Sequence, residues 1–267
     1  MIEDMRIQEM LDECIPVIKK LAVGRFAVAV SGSHGKGTAD KSSDIDLRLY
    51  CDDVLPDSEE KKMIKESFHA LTGKWKDIGV EVDGCWVRKI PEVDDKLREW
   101  LEGQLKPVDV LWTIWGYHLL PDLYYQQAIE DPFGIIEHWK QQMKEYPGTL
   151  KKAVLDKHMA FLRYWRNDYH YINKVKRKDT IFLASLSSKI VHSLVQVLFA
   201  LNDTYFVGDG SNMNFIRKFQ HRPPEWEERI QAALYPTCAE DMYERQRETL
   251  VHLINDVEEL AEKFYRE

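Results

Sequence analysis

Two aspartates separated by a single residue, in Ser43-Asp44-Ile45-Asp46-Leu47, carry the clearest chemical signal in the chain. Around them Ile45, Leu47 and Leu49 alternate with Asp46, Arg48 and Tyr50, the period of a strand with one apolar face. On a strand, residues i and i+2 project to the same side. Two carboxylates held that way repel each other unless a cation lies between them. A divalent ion of the Mg²⁺ type suits such a pair, because it takes hard oxygen ligands and keeps water or phosphate oxygens in the rest of its shell. Upstream, an apolar run Phe26-Ala27-Val28-Ala29-Val30 ends at Ser31-Gly32-Ser33. Gly32 permits close approach of the backbone, and Ser33 with the turn amides offers donors to a phosphate oxygen. A third acid on a neighbouring strand would complete a metal cage. Asp83, in Val80-Glu81-Val82-Asp83, is the candidate, with Glu81 on the same strand face as the alternative.

Two competing patterns fail on spacing. Gly35-Lys36-Gly37-Thr38 suggests a P-loop, but Gly37 separates Lys36 from Thr38 and Val30 stands where the first glycine belongs. His34 and Lys36 are therefore read as loop residues. Arg163 and Arg166 ahead of His170 suggest the Arg…His pair of a helical ribonuclease, but the distance from Arg166 is too short and a salt-bridged helix face accounts for both arginines. The four cysteines, Cys14, Cys51, Cys85 and Cys238, form no C-x-x-C pair and suggest neither a disulfide framework nor a zinc site.

The run Gly32-Ser33-His34-Gly35-Lys36-Gly37-Thr38-Ala39-Asp40-Lys41-Ser42-Ser43-Asp44-Ile45-Asp46-Leu47 resembles the signature of the polymerase-β-like nucleotidyltransferase superfamily. Its parts are a Gly-Ser turn, a small polar loop and Ser-Asp-Ile-Asp-Leu. The resemblance implies that Asp44, Asp46 and Asp83 bind two Mg²⁺ ions and that Gly32 and Ser33 hold the β- and γ-phosphates of ATP or another nucleoside triphosphate. A hydroxyl acceptor would then attack the α-phosphate and release pyrophosphate. The rest of the chain is similar to the helical domain of aminoglycoside and lincosamide adenylyltransferases, which implies an acceptor pocket near Trp112, Trp115, Tyr117, His118, Asp131 and Glu137. It also implies that Lys189 and Lys218 reach the triphosphate. The general base stays open among Asp83, Glu81, Asp131 and Glu137. The implied function is transfer of AMP from ATP to a hydroxyl of a small-molecule acceptor, with an aminoglycoside-like antibiotic as the leading candidate. The alternatives are a protein- or RNA-modifying, antitoxin-like nucleotidyltransferase and a nucleotide-binding protein without catalysis.

These groups need a frame. Ile7, Met10, Leu11, Cys14, Ile15, Ile18 and Leu21 have helical spacing, and Phe26–Val30 and the Asp44–Asp46 segment read as strands. Ser58 to Leu71 reads as a helix with Ser58 as its N-cap and Gly73 as its terminator, and Val80 to Cys85 as a third strand. From Leu119 onward the spacing predicts helices, five or six in all, the longest over 150–174 and 180–201. The predicted class is α+β: a nucleotidyltransferase α/β domain with a small mixed sheet over 1–115, then an all-α bundle over 116–267 that binds the acceptor. Among the 267 residues, 44% are hydrophobic and 31% charged, enough for a packed core. The net charge of −8 argues against a general nucleic-acid binder, apart from a local basic stretch at Lys174–Lys178. The acidic start shows no signal peptide, and the most apolar run, Ile190 to Leu201, is interrupted by His192, Ser193 and Gln196. No membrane association and a cytoplasmic location are therefore expected. Oligomeric state is not readable.

Overall fold

The computed structural model describes residues 4–105, 119–208 and 212–265. Trp112, Trp115, Tyr117, His118 and the expected domain boundary between 115 and 116 lie outside the described residues.

The chain opens with helix α1 (Met5–Ile18), capped by the Asp4 carboxylate on the Arg6 amide, and a 3-10 turn at Lys19–Leu21. Strand β1 (Ala22–Val30), the short helix α2 (Gly32–Lys36), strand β2 (Ile45–Val54), helix α3 (Glu59–Asp77) and strand β3 (Val82–Lys89) follow. Then come α4 (Ile90–Leu101), α5 (Leu119–Tyr125), β4 (Gln127–Glu130) and α6 (Ile135–Gln142). The later part contains α7 (Gly148–Asn167), α8 (Tyr169–Lys176), α9 (Thr180–Leu201), α10 (Asn212–Ile216), α11 (Trp226–Leu234) and α12 (Met242–Phe264). The fold class is α+β, as the sequence predicts.

The strands form one mixed sheet in the order β3-β2-β1-β4. β1 runs antiparallel to β2 and β4, while β2 and β3 are parallel and joined through α3, because a parallel pair needs a long crossover. Alternation in the strands becomes two distinct faces. Val28, Val30, Ile45, Leu47 and Leu49 pack with Met10, Leu11, Cys14 and Ile18 of α1 and with Ile64 and Trp75 of α3. The opposite face of β2 carries Asp46, Arg48 and Tyr50. Tyr50 meets the edge of Trp139 from α6 at a centroid separation of 4.8 Å, and its hydroxyl donates to Gln126 Oε1 at 2.9 Å.

The described residues fall into two compact units, 4–99 with 119–145, and 100–105 with 146–208 and 212–265. Residues 119–145, read from sequence as the start of the helical region, thus belong with the sheet. In the second unit α9 packs against α7 and α12. α9 is long and apolar enough to cross a membrane by length and composition, but 61% of its apolar window is buried, as befits a core helix.

Several elements differ from their sequence reading. α3 runs past Gly73 to Asp77 because Trp75 is buried in the core, and the chain turns instead at Gly79, whose φ is +87°. Gln127–Glu130 is a strand rather than helix, held by pairing with β1. The helix predicted over 150–174 is two helices, broken at Asp168, whose carboxylate caps α8 by accepting from the Tyr171 amide. The longest helix is α12, which the spacing did not single out.

Candidate active site

The site begins where β1 ends. The Ser31 amide donates to the carbonyl of Asp46 at 2.9 Å, so the last link between β1 and β2 is made on the aspartate itself. The chain then turns through Gly32 at φ +59°. A Cβ at Gly32 would lie 1.7 Å from Asp46 Oδ2, so only glycine lets the turn close over that carboxylate. α2 follows and ends at Gly37, again in the left-handed region at φ +66°. The Ser33 hydroxyl is buried and has no hydrogen-bond partner among the described residues. An orphaned donor beside a glycine turn is costly unless something comes to meet it, and a phosphate oxygen would.

The polar loop closes on itself before entering β2. Asp40 Oδ1 accepts from the Ser42 amide at 2.8 Å and from the Ser43 hydroxyl at 3.2 Å, while Ser43 Oγ accepts from the Asp40 amide at 2.8 Å. Asp44 leaves this loop half-buried, and Asp46 follows on β2. Burial holds the Asp46 carboxyl above the usual carboxylate range. Arg48 opposes the shift, while Asp44 and Asp122 reinforce it. The ionised form of Asp46 is therefore short of positive charge, and a cation shared with Asp44 would supply it.

The two residues that sequence reading missed lie behind Asp46. Arg48 is 4% exposed, and its Nη1 and Nη2 each stand 3.4 Å from Asp46 Oδ1. The same guanidinium donates from Nε to Asp122 Oδ2 at 2.9 Å and from Nη2 to Asp122 Oδ1 at 3.1 Å. Asp122, on α5, also accepts from the Ser31 hydroxyl. A signal existed for Asp122, an acid within the apolar run Leu119-Leu120-Pro121-Asp122-Leu123, since a buried charge requires a partner, whereas Arg48 falls on the polar side of its strand's alternation and gave none.

Asp83 falls at an irregularity of the β2–β3 ladder. Ile45 pairs with Val82 and Asp46 with Gly84, so Asp83 occupies the extra position beside Asp46, with its side chain exposed. The bulge also changes the parity read from sequence, since Val82, Cys85 and Val87 all pack against the apolar core. Glu81 is exposed and paired with Lys76 at 2.5 Å. Among the described residues no three His, Cys, Asp or Glu side chains gather into a set able to hold a metal. Asp44 and Asp46 still fit a Mg²⁺ ion, which is commonly held by one or two carboxylates together with substrate phosphates.

Asp131 is occupied as a cap. Its Oδ1 accepts from the Ile135 amide at 2.7 Å and its Oδ2 from the amides of Ile136 and Glu137 at 2.9 and 3.1 Å, all at the start of α6. Glu137 is exposed and accepts from Gln141. Lys189, on α9, and Lys218, just after α10, are both exposed on the second unit. There too, Arg163 and Arg166 both pair with Glu258, which leaves a salt-bridged helix face where a ribonuclease pair was considered. A pocket of about 800 Å³ lies against the polar loop, lined by Arg6, His34, Asp40, Lys41, Glu81 and Gln127 among others.

Residues 11–103 match the family described as the nucleotidyltransferase domain, and residues 118–208 match a domain of unknown function, DUF4037. No curated protein sequence matches the chain. With the Gly-Ser turn seated on the Asp-x-Asp strand inside the first match, the chain has the two-domain architecture of a polymerase-β-like nucleotidyltransferase.

Proposed function

We propose that this protein transfers a nucleoside monophosphate, AMP from ATP, to a hydroxyl of a small-molecule acceptor. The observation that carries the reading is the contact of Gly32 with Asp46: the turn that would hold a triphosphate lies directly on the carboxylate that would hold its metal. Asp44 and Asp46, with Asp83 as third carboxylate, are the proposed ligands of two Mg²⁺ ions, which when bound offset charge on the phosphates and acidify the attacking hydroxyl. Gly32 and the Ser33 hydroxyl bind the β- and γ-phosphates and orient the α-phosphate. The acceptor oxygen loses its proton as its bond to phosphorus forms, and the bond from the α-phosphorus to the bridging oxygen breaks, releasing pyrophosphate. Asp131 is committed to α6 and Glu81 to Lys76, which favours Asp83 as the acceptor of that proton. Lys189 and Lys218 are proposed to bind the triphosphate. The net charge of −8 favours a cationic acceptor, and an aminoglycoside-like antibiotic fits that description.

A thermal-shift series with ATP, GTP, CTP and UTP, each with Mg²⁺, tests the donor half. Stabilisation by a triphosphate that depends on Mg²⁺ is expected, and no response to any pair would overturn the site. Pyrophosphate release across an antibiotic panel tests the acceptor half, and release with none of them would discard the antibiotic reading.

A further inference from the structure

We infer that Asp122 is a positioning residue of the site, acting through Arg48: it draws off the guanidinium charge so that the Asp46 carboxylate stays available to a divalent cation. The inference rests on reading Asp46 as a metal ligand.

The bond lengths set the order of preference. Arg48 reaches Asp122 through two donors at 2.9 and 3.1 Å, but stands 3.4 Å from Asp46. Two-donor pairing of a guanidinium with one carboxylate fixes direction as well as charge. Arg48 is further confined by its Nη1 bond to the Leu47 carbonyl at 3.1 Å and by the Trp86 ring, whose centroid is 5.0 Å from Cζ. Asp122 is anchored in turn by Ser31, whose amide holds the Asp46 carbonyl. Ser31, Asp46, Arg48 and Asp122 thus form a closed circuit across β1, β2 and α5. Arg48 and Asp122 are both almost fully buried, so neither charge is tolerable alone. Without Asp122, the guanidinium still has Asp46 within ion-pairing distance, at 3.4 Å. It would close on that group and take the negative charge a metal needs.

The test is Mn²⁺ titrated into the purified full chain with ATP present, with free Mn²⁺ read by electron paramagnetic resonance. Asp122→Asn keeps the shape but not the charge, and its Mn²⁺ affinity should fall at least about ten-fold, the scale on which partners of metal ligands act. The double variant Arg48→Met with Asp122→Asn removes both charges and should bind within about three-fold of wild type. A merely structural Asp122 would not be rescued by losing Arg48 as well. Should Asp122→Asn fail to fold by circular dichroism, the charge-balanced double variant decides alone, because near-normal Mn²⁺ binding supports the inference and its loss in a folded protein overturns it. Equal affinity in Asp122→Asn and wild type overturns the inference and leaves the site reading standing. Absence of Mn²⁺ binding by wild type overturns both.

Discussion

Gly32 and Asp46 come from different strand ends, yet a Cβ on the first would lie 1.7 Å from a carboxylate oxygen of the second. Alanine at position 32 must therefore push the Asp46 side chain or the turn aside, and it must also adopt a φ of +59°. Displacement of reacting groups by about 1 Å commonly costs about 100-fold in rate. Gly32→Ala is expected to lower triphosphate-dependent pyrophosphate release by about that factor while circular dichroism stays close to wild type. A fully active Gly32→Ala protein would remove the turn from the site.

Asp131 separates capping from catalysis. Its carboxylate accepts three amides at the head of α6, so Asp131→Ala is expected to cost about 1–2 kcal/mol of stability, the range for a lost cap. Turnover measured well below the melting point should stay within a few-fold of wild type. Asp83→Asn should behave in the opposite way, with unchanged melting and strongly reduced turnover. Loss of activity in Asp131→Ala without loss of stability would reopen its role as base.

Trp139 links α6 to the sheet through its edge contact with Tyr50, and to α4 through Nε1 donating to Asp94 at 2.6 Å. Its side chain is 1% exposed. Trp139→Ala is expected to destabilise the protein by about 3–5 kcal/mol by leaving a cavity, and Trp139→Phe by less. Urea unfolding measures both; near-equal midpoints for the two variants would contradict a packed role for the indole.

Burial pushes the Cys14 thiol from 9.0 up to about 11, with Glu13 adding to the shift and Lys74 opposing it. The folded protein therefore keeps a proton that the unfolded chain releases between those values. Stability linked to Cys14 is complete below pH 9 and is lost as pH rises toward 11. Cys14→Ala should flatten the decline of the unfolding free energy over that window, by an amount on the order of 2–3 kcal/mol. Parallel curves for the two proteins would show that Cys14 is not the group responsible.

Much of the frame was legible because it is encoded locally. The alternation around Ile45 to Tyr50 requires a strand with one apolar face, Ser58 caps α3 by accepting from the Lys61 amide, and Thr180–Leu201 is a helix with the predicted ends. The polar loop between Gly32 and Asp46 was visible for the same reason, since its glycines and aspartates are turn chemistry that needs no distant partner.

The sequence by itself determined the β1–turn–β2 order and the placement of Asp44 and Asp46 two residues apart at the head of β2. Only the tertiary structure decided which buried charges serve that pair. Arg48 and Asp122 are 74 positions apart, and no local period records that they meet. The same holds for β4, whose strand character comes from the β1 edge it joins, and for Asp83, placed by a register shift between two strands. Periodicity states which face of an element must be buried; it does not state against what. That choice belongs to contacts made across the chain, where a buried charge is tolerated only beside its partner.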